Sequence, residues 1–150
     1  MSIYFKKFHE TFFSSDGLIL TIELLNVQHE GTLVNTISLL YSLIESENLS
    51  KQVLDLGKQE IIELLQNVLV TGIDILGVSY GPKVGYYALL AVNALLNQHS
   101  EIAKNISSRT IEYLCNLVQP KCLSKIPVHY EIEIYRFFEH IVQQDKQVQE

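Results

Sequence analysis

At 150 residues the chain is sized for one domain, and a globular chain of that length buries roughly 70% of the surface it exposes when unfolded. Its apolar content, 47%, is too high for a disordered segment and ordinary for a folded one. Eleven basic against 17 acidic side chains leave a net charge of −6, and no stretch is more basic than Lys6-Lys7, which excludes a phosphate-binding footprint for nucleic acid and disfavours an anionic membrane surface.

The chain opens with "MSIYFKKFHE", in which the lysines follow apolar residues instead of preceding an apolar core, so it does not read as a signal peptide. Phe5, Phe8 and Phe12 fall on one stripe of a helix, and with Phe13 they make this first helix too apolar for a free cap. Ser15-Asp16-Gly17 breaks that helix, and "TIELL" at Thr21–Leu25 sits in the next one. After Glu30-Gly31, Leu33, Ile37, Leu40 and Ile44 form a stripe that ends at "ESEN". Gly57 turns the chain into "IIELL" at Ile61–Leu65.

The most apolar region, Ile61 to Leu96, is interrupted by Glu63, Asp74 and Lys83, so no window reaches the roughly 18 uncharged residues of a spanning helix. Gly81-Pro82 starts a helix striped by Val84, Tyr87, Ala91 and Leu95, with Pro82 in its first turn where a missing N–H costs nothing. "TIEYL" at Thr110–Leu114 marks another. Past Pro120 and Pro127, "VHYEIEIY" alternates like a strand, but it continues into "RFFEHIVQQ" with Ile134, Phe137 or Phe138, and Ile141 at helical spacing. A helix is predicted there, Pro127 in its first turn, followed by a polar tail. The expectation is an all-α chain of about eight helices.

Nothing along it assembles into a catalytic or metal site. Cys115, Cys122, His129 and His140 are spaced C-x6-C-x6-H-x10-H, unlike the close pairs of structural zinc sites. Cys115, beside Leu114 and Leu117, reads as a small buried thiol. Cys122 has Lys121 beside it to lower its pKa but no surrounding signature. The motifs G-x-S-x-G, H-E-x-x-H and G-x4-G-K-[ST] are absent. His9, His29 and His99 fall near helix ends and read as solvated or capping, and Glu131 and Glu133 as a solvated face. No enzyme, metal or cofactor is expected, and two cysteines suit a reduced cytoplasmic setting.

The three pentamers pose a different question. Their second letters, Ile22, Ile62 and Ile111, lie 40 and 49 residues apart. Gly17 and Gly57 each stand five residues before the isoleucine; the third copy has Ser108 and Arg109 nearby and no glycine. Leu49, Lys51 and Val53 match Ile102, Lys104 and Ile106, and "VTGIDILGVSYGPK" absorbs the longer second spacing. A helical unit of about 40 residues cannot bury its apolar face alone and needs stacked neighbours.

A short helix, a glycine corner, a helix carrying x-I-E-x-L and a longer third helix resemble the armadillo repeat. The resemblance spans almost the whole chain as one domain, with units at about 3–46, 47–98 and 99–144 and a tail at 145–150. It implies an armadillo-like α-solenoid of about three helical repeats; the alternative is an irregular helical bundle. It also implies that the third helices, 31–45, 83–97 and 128–144, line a concave surface that binds another protein or peptide as adaptor or scaffold.

The polar faces of those helices then supply the partner-binding candidates: Asn35, Ser38 and Ser42; Tyr86, Asn93 and Asn97, with Lys83 beside them; Glu133, Arg136 and His140. Where armadillo families that hold extended peptides place an asparagine, this chain has Ser42 and Ala94, with Asn93 out of register, which argues against that kind of clamp. The second functional expectation is a helical subunit of an obligate assembly, binding or self-associating through an apolar face such as the Phe-rich first helix.

Overall fold

A computed structural model describes residues 17–27, 29–45, 55, 60–70, 82–123 and 126–149. Among them the regular structure is entirely helical. Helices α1 (Gly17–Leu24), α2 (Glu30–Glu45), α3 (60–70) and α4 (Pro82–Gln98) precede a 3-10 helix (Ser100–Asn105); α5 (Ser108–Leu117), the single-turn α6 (Pro120–Leu123) and α7 (Val128–Gln149) follow. The Phe-rich segment, Gly57 and Gly81 lie outside the described residues. None of the described helices is long and apolar enough to cross a membrane.

The starts are set by local chemistry. His29 precedes α2, and its Nδ1 accepts the Thr32 N–H at 3.1 Å, a helix-capping contact at the third helical residue. Ser107 caps α5, its Oγ accepting from the Thr110 N–H at 3.2 Å. Pro82 is the first residue of α4, as its missing N–H favours. Pro127 stands one place earlier than expected. Its carbonyl accepts from the amides of Tyr130 and Glu131, which makes it the cap of α7 instead of a residue of the first turn. At the far end α7 runs on to Gln149, through most of the expected tail.

Helix α4 is the centre of the fold. It packs against α2 on one side and α7 on the other, and the 3-10 helix closes onto both α4 and α7, while α1 rests on α2. The sequence explains why α4 can be shared. Val84, Ala88, Ala91 and Leu95 bury one face, and Leu89, Val92 and Leu96 the face beside it. Gly85, Ala88 and Ala91 let neighbouring helices come close. At Gly85 an added Cβ would lie 2.6 Å from the Tyr130 hydroxyl oxygen of α7. Leu33, Ile37, Leu40 and Ile44 of α2, Ile61, Leu65 and Leu69 of α3, and Ile134 and Phe137 of α7 complete a single core. Each such side chain contributes about 2 kcal/mol of burial.

Polar side chains lock these helices in place. Gln98, at the end of α4, donates to the Ile44 carbonyl at 2.8 Å, satisfying one of the last-turn acceptors of α2. Gln66 of α3 is buried and fully used. Its Nε2 donates to the carbonyls of Ile62 (3.3 Å) and Asn105 (3.1 Å). Its Oε1 accepts from the Ser107 N–H (2.8 Å) and the Thr110 hydroxyl (2.9 Å). One glutamine therefore ties α3 to the end of the 3-10 helix and the start of α5.

Two expectations about burial are corrected. Cys115 is an exposed free thiol. One residue beyond buried Leu114, it is turned about 100° away from the stripe that Leu114 and Leu117 bury. Glu133, expected on a solvated face, is 5% exposed. It falls on the side of α7 that meets α4.

Candidate functional site

The polar residues of α2, α4 and α7 converge only in part. Asn35 and Ser42 are exposed on α2, and Ser38 is half-buried; the Ser42 hydroxyl donates to the Ser38 carbonyl at 3.0 Å, an ordinary contact one turn back. Asn97 is exposed near the end of α4, and His140 is half-buried on α7.

Asn93 is not on an open face. It is 6% exposed, and its Nδ2 donates to the Glu133 backbone carbonyl and to Glu133 Oε2, both at 2.9 Å. A carboxylate taken from water must be paired and hydrogen-bonded. Glu133 meets that need with Asn93 on one oxygen and the Arg136 guanidinium on the other. Arg136 itself reaches solvent, its side chain 62% exposed. Asn93 Oδ1 is buried without a hydrogen-bond partner.

Tyrosines gather around this pair. Hydrogen bonding to Glu45 comes first among the causes that push the Tyr41 phenol up to about 12; burial and the charges of Glu45 and Glu133 act in the same direction. Tyr86 is also raised, by burial first and then by Glu133 and Tyr87, with Arg136 opposing. Residues from α2, α4 and α7 thus share one electrostatic neighbourhood. Its phenols stay protonated near neutrality and can donate hydrogen bonds or stack.

Just N-terminal to it, Tyr86 is the hub of an aromatic cluster. Its ring meets His129 edge-on (centroids 4.5 Å, 78°) and Tyr87 likewise (5.6 Å, 65°), with Tyr130 behind, tilted, at 6.2 Å. A cleft of about 330 Å³ opens there between the starts of α4 and α7, walled by Lys83, Tyr86, Tyr87, Pro127 and His129. A second, polar cleft of about 520 Å³ lies where α3 meets the start of α5, around Glu63, Gln66, Asn67, Asn105 and Arg109.

Of the nine expected partner-binding residues, Tyr86, Asn93, Glu133 and Arg136 come together. Sequence reasoning missed Tyr41, which no motif or stripe singles out, and His129, which lies beside the break at Pro127. Tyr87, on the apolar stripe of α4, also faces the cleft. Among the described residues no three His, Cys, Asp or Glu side chains are placed to hold a metal ion. No family model matches the chain, nor does a curated protein or a solved structure.

Proposed function

We propose that the chain is a non-catalytic interaction module, an armadillo-like stack that holds another protein or peptide along the face shared by α2, α4 and α7 and so serves as adaptor or scaffold. The observation that carries this reading is that the long-range side-chain bonds among the described residues join neighbouring units. Asn93 bonds Glu133 40 residues on, and Gln66 bonds Asn105 and Ser107 at separations of 39 and 41. These bonds join the unit at about 47–98 to the next one, and Gln98 bonds the Ile44 carbonyl of the unit before, the nearest-neighbour pattern that a stack of helical repeats makes. The three longest of the described α-helices then occupy equivalent places, side by side, with α4 in the middle. The polar and aromatic groups between them, Tyr41, Tyr86 and Arg136 foremost, suit a recognition surface, where Tyr and Arg are enriched. The exposed thiol of Cys115 fits a reduced cytoplasmic setting.

One observation favours a second reading, a subunit of an obligate assembly. On the outer side of α7, Val128, Ile132, Tyr135 and Val142 are between 46% and 70% exposed and follow spacings of four, three and seven. That apolar stripe, facing away from α4, suits burial by another helix.

Affinity capture from native lysate separates the two readings, comparing wild type with a folded Tyr86→Ala/Asn97→Ala variant and an Ile132→Arg variant. Capture of a protein lost with Tyr86→Ala/Asn97→Ala and kept with Ile132→Arg supports the α2–α4–α7 face. The reverse pattern supports the assembly subunit and overturns the adaptor.

A further inference from the structure

The cleft between the starts of α4 and α7 has a composition that specifies more than a generic contact surface. Its walls are flat and largely apolar: the rings of Tyr86, Tyr87 and His129 and the pyrrolidine of Pro127. About 330 Å³ is at the small end of ligand sites, enough for one ring and a substituent. The full charge on its lining is positive, the exposed ammonium of Lys83.

Among the described carboxylates near the cleft, the charge of Glu133 is offset by Arg136, while Glu131 is hydrogen-bonded and keeps its charge outside the cleft lining. Glu133 is held by Asn93 and Arg136, and Glu131 Oε1 accepts from the Tyr135 hydroxyl at 3.1 Å. Both helices also begin at the cleft, so their dipoles add to the positive potential. In a chain of net charge −6 this lining carries an ammonium and no carboxylate, over an aromatic floor.

We propose that this cleft binds an anionic group carried on an aromatic ring, the ring seated among Tyr86, Tyr87 and His129 and the anion against Lys83. The inference rests on the reading of the α2–α4–α7 face as a recognition surface and names the chemistry it takes. Edge-to-face packing supplies the ring contact and a charge-assisted hydrogen bond the anion contact. A cationic ligand is disfavoured because Lys83 would oppose it.

The test is a titration of the ¹⁵N-labelled full chain, followed by NMR, with phenyl phosphate, with inorganic phosphate and with phenol. Expected are saturable shifts centred on Lys83, Tyr87 and His129 with phenyl phosphate, and affinity at least about tenfold above either fragment alone. Lys83→Glu should weaken binding by about tenfold or more, while Lys121→Glu, the same charge change at an exposed site on α6, should not. His129→Ala, a second substitution at an exposed position, should weaken it as well.

Inorganic phosphate or phenol binding as tightly as phenyl phosphate overturns the proposal. So does equal weakening by Lys83→Glu and Lys121→Glu, or no saturation with any probe. An N-acetyl phosphotyrosine amide distinguishes the sources: tighter binding than phenyl phosphate assigns the group to a partner chain, and equal binding to a free small acid. If capture is lost with Tyr86→Ala/Asn97→Ala while phenyl phosphate fails to bind, the recognition surface stands and this ligand class falls.

Discussion

Tyr130 has a buried hydroxyl without a hydrogen-bond partner and sits against the one position on α4 where a methyl group would collide with it. Burial holds its phenol far above the ordinary value, so that oxygen remains an unsatisfied, uncharged donor. Two outcomes follow. Tyr130→Phe removes an oxygen that makes no bond, and in urea unfolding it should leave stability unchanged or raise it slightly. Gly85→Ala places a Cβ 2.6 Å from that oxygen and 3.1 Å from a ring carbon, and the ring, 2% exposed, has little room to retreat. It should cost about 1–3 kcal/mol, the usual price of overpacking. Combining it with Tyr130→Phe should recover part of the loss. A double mutant no more stable than Gly85→Ala alone would show that the ring carbons, not the oxygen, set the limit.

At the scale of elements, Gln66 deserves comparison with the apolar stripe around it. Ile62, Leu65 and Leu69 bury α3, and Gln66 supplies the polar bonds that fix where the 3-10 helix ends and α5 begins. Gln66→Leu keeps the volume but leaves the Asn105 carbonyl and the Ser107 N–H without these partners. A loss of about 2–3 kcal/mol is expected in chemical denaturation, the cost of unmet buried groups. A change below about 0.5 kcal/mol would mean that water replaces the glutamine there. Ser107→Ala, which removes only the cap of α5, should cost less, about 1 kcal/mol.

The helices themselves were largely legible in the sequence. Pro82, the break at Glu30-Gly31 and the stripes of α2 and α4 mark them, because helix starts and apolar periodicity are local properties. Asn93, Glu133 and Gln66 were not, because each is a polar residue whose burial is decided by a partner about 40 residues away. The strand-like run Val128–Tyr135 has its own physical reason. Tyr130 and Ile134 face the core while Val128 and Ile132 face outward, so a helix apolar on two opposite sides alternates as a strand does.

For the molecule as a whole, alkaline pH is the most revealing variable. Burial pushes the Tyr113 phenol from its ordinary value near 10 up to about 12, and Tyr130 is raised further still. A group with a higher pKa folded than unfolded binds its proton more tightly in the native state. Its contribution is intact below the unfolded value near 10 and is lost as pH climbs through the folded value. Stability should therefore fall between pH 10 and about 12. Tyr113→Phe should lessen that fall, the remainder belonging to Tyr41 and Tyr130, while leaving the neighbourhood of pH 7 nearly unaffected apart from packing. Denaturation midpoints across this window check it, and a variant with the same slope as wild type would contradict the assignment to Tyr113.

The Gln66 clasp carries a consequence for motion as well as for stability. Because a single side chain serves α3, the 3-10 helix and the cap region of α5, a fluctuation that lifts α3 strips bonding partners from both other segments in the same event. Backbone amides at Gln66 and at Ser107 should then exchange with solvent deuterium through one shared opening, with a common free energy, although they stand 41 positions apart with the whole of α4 between them.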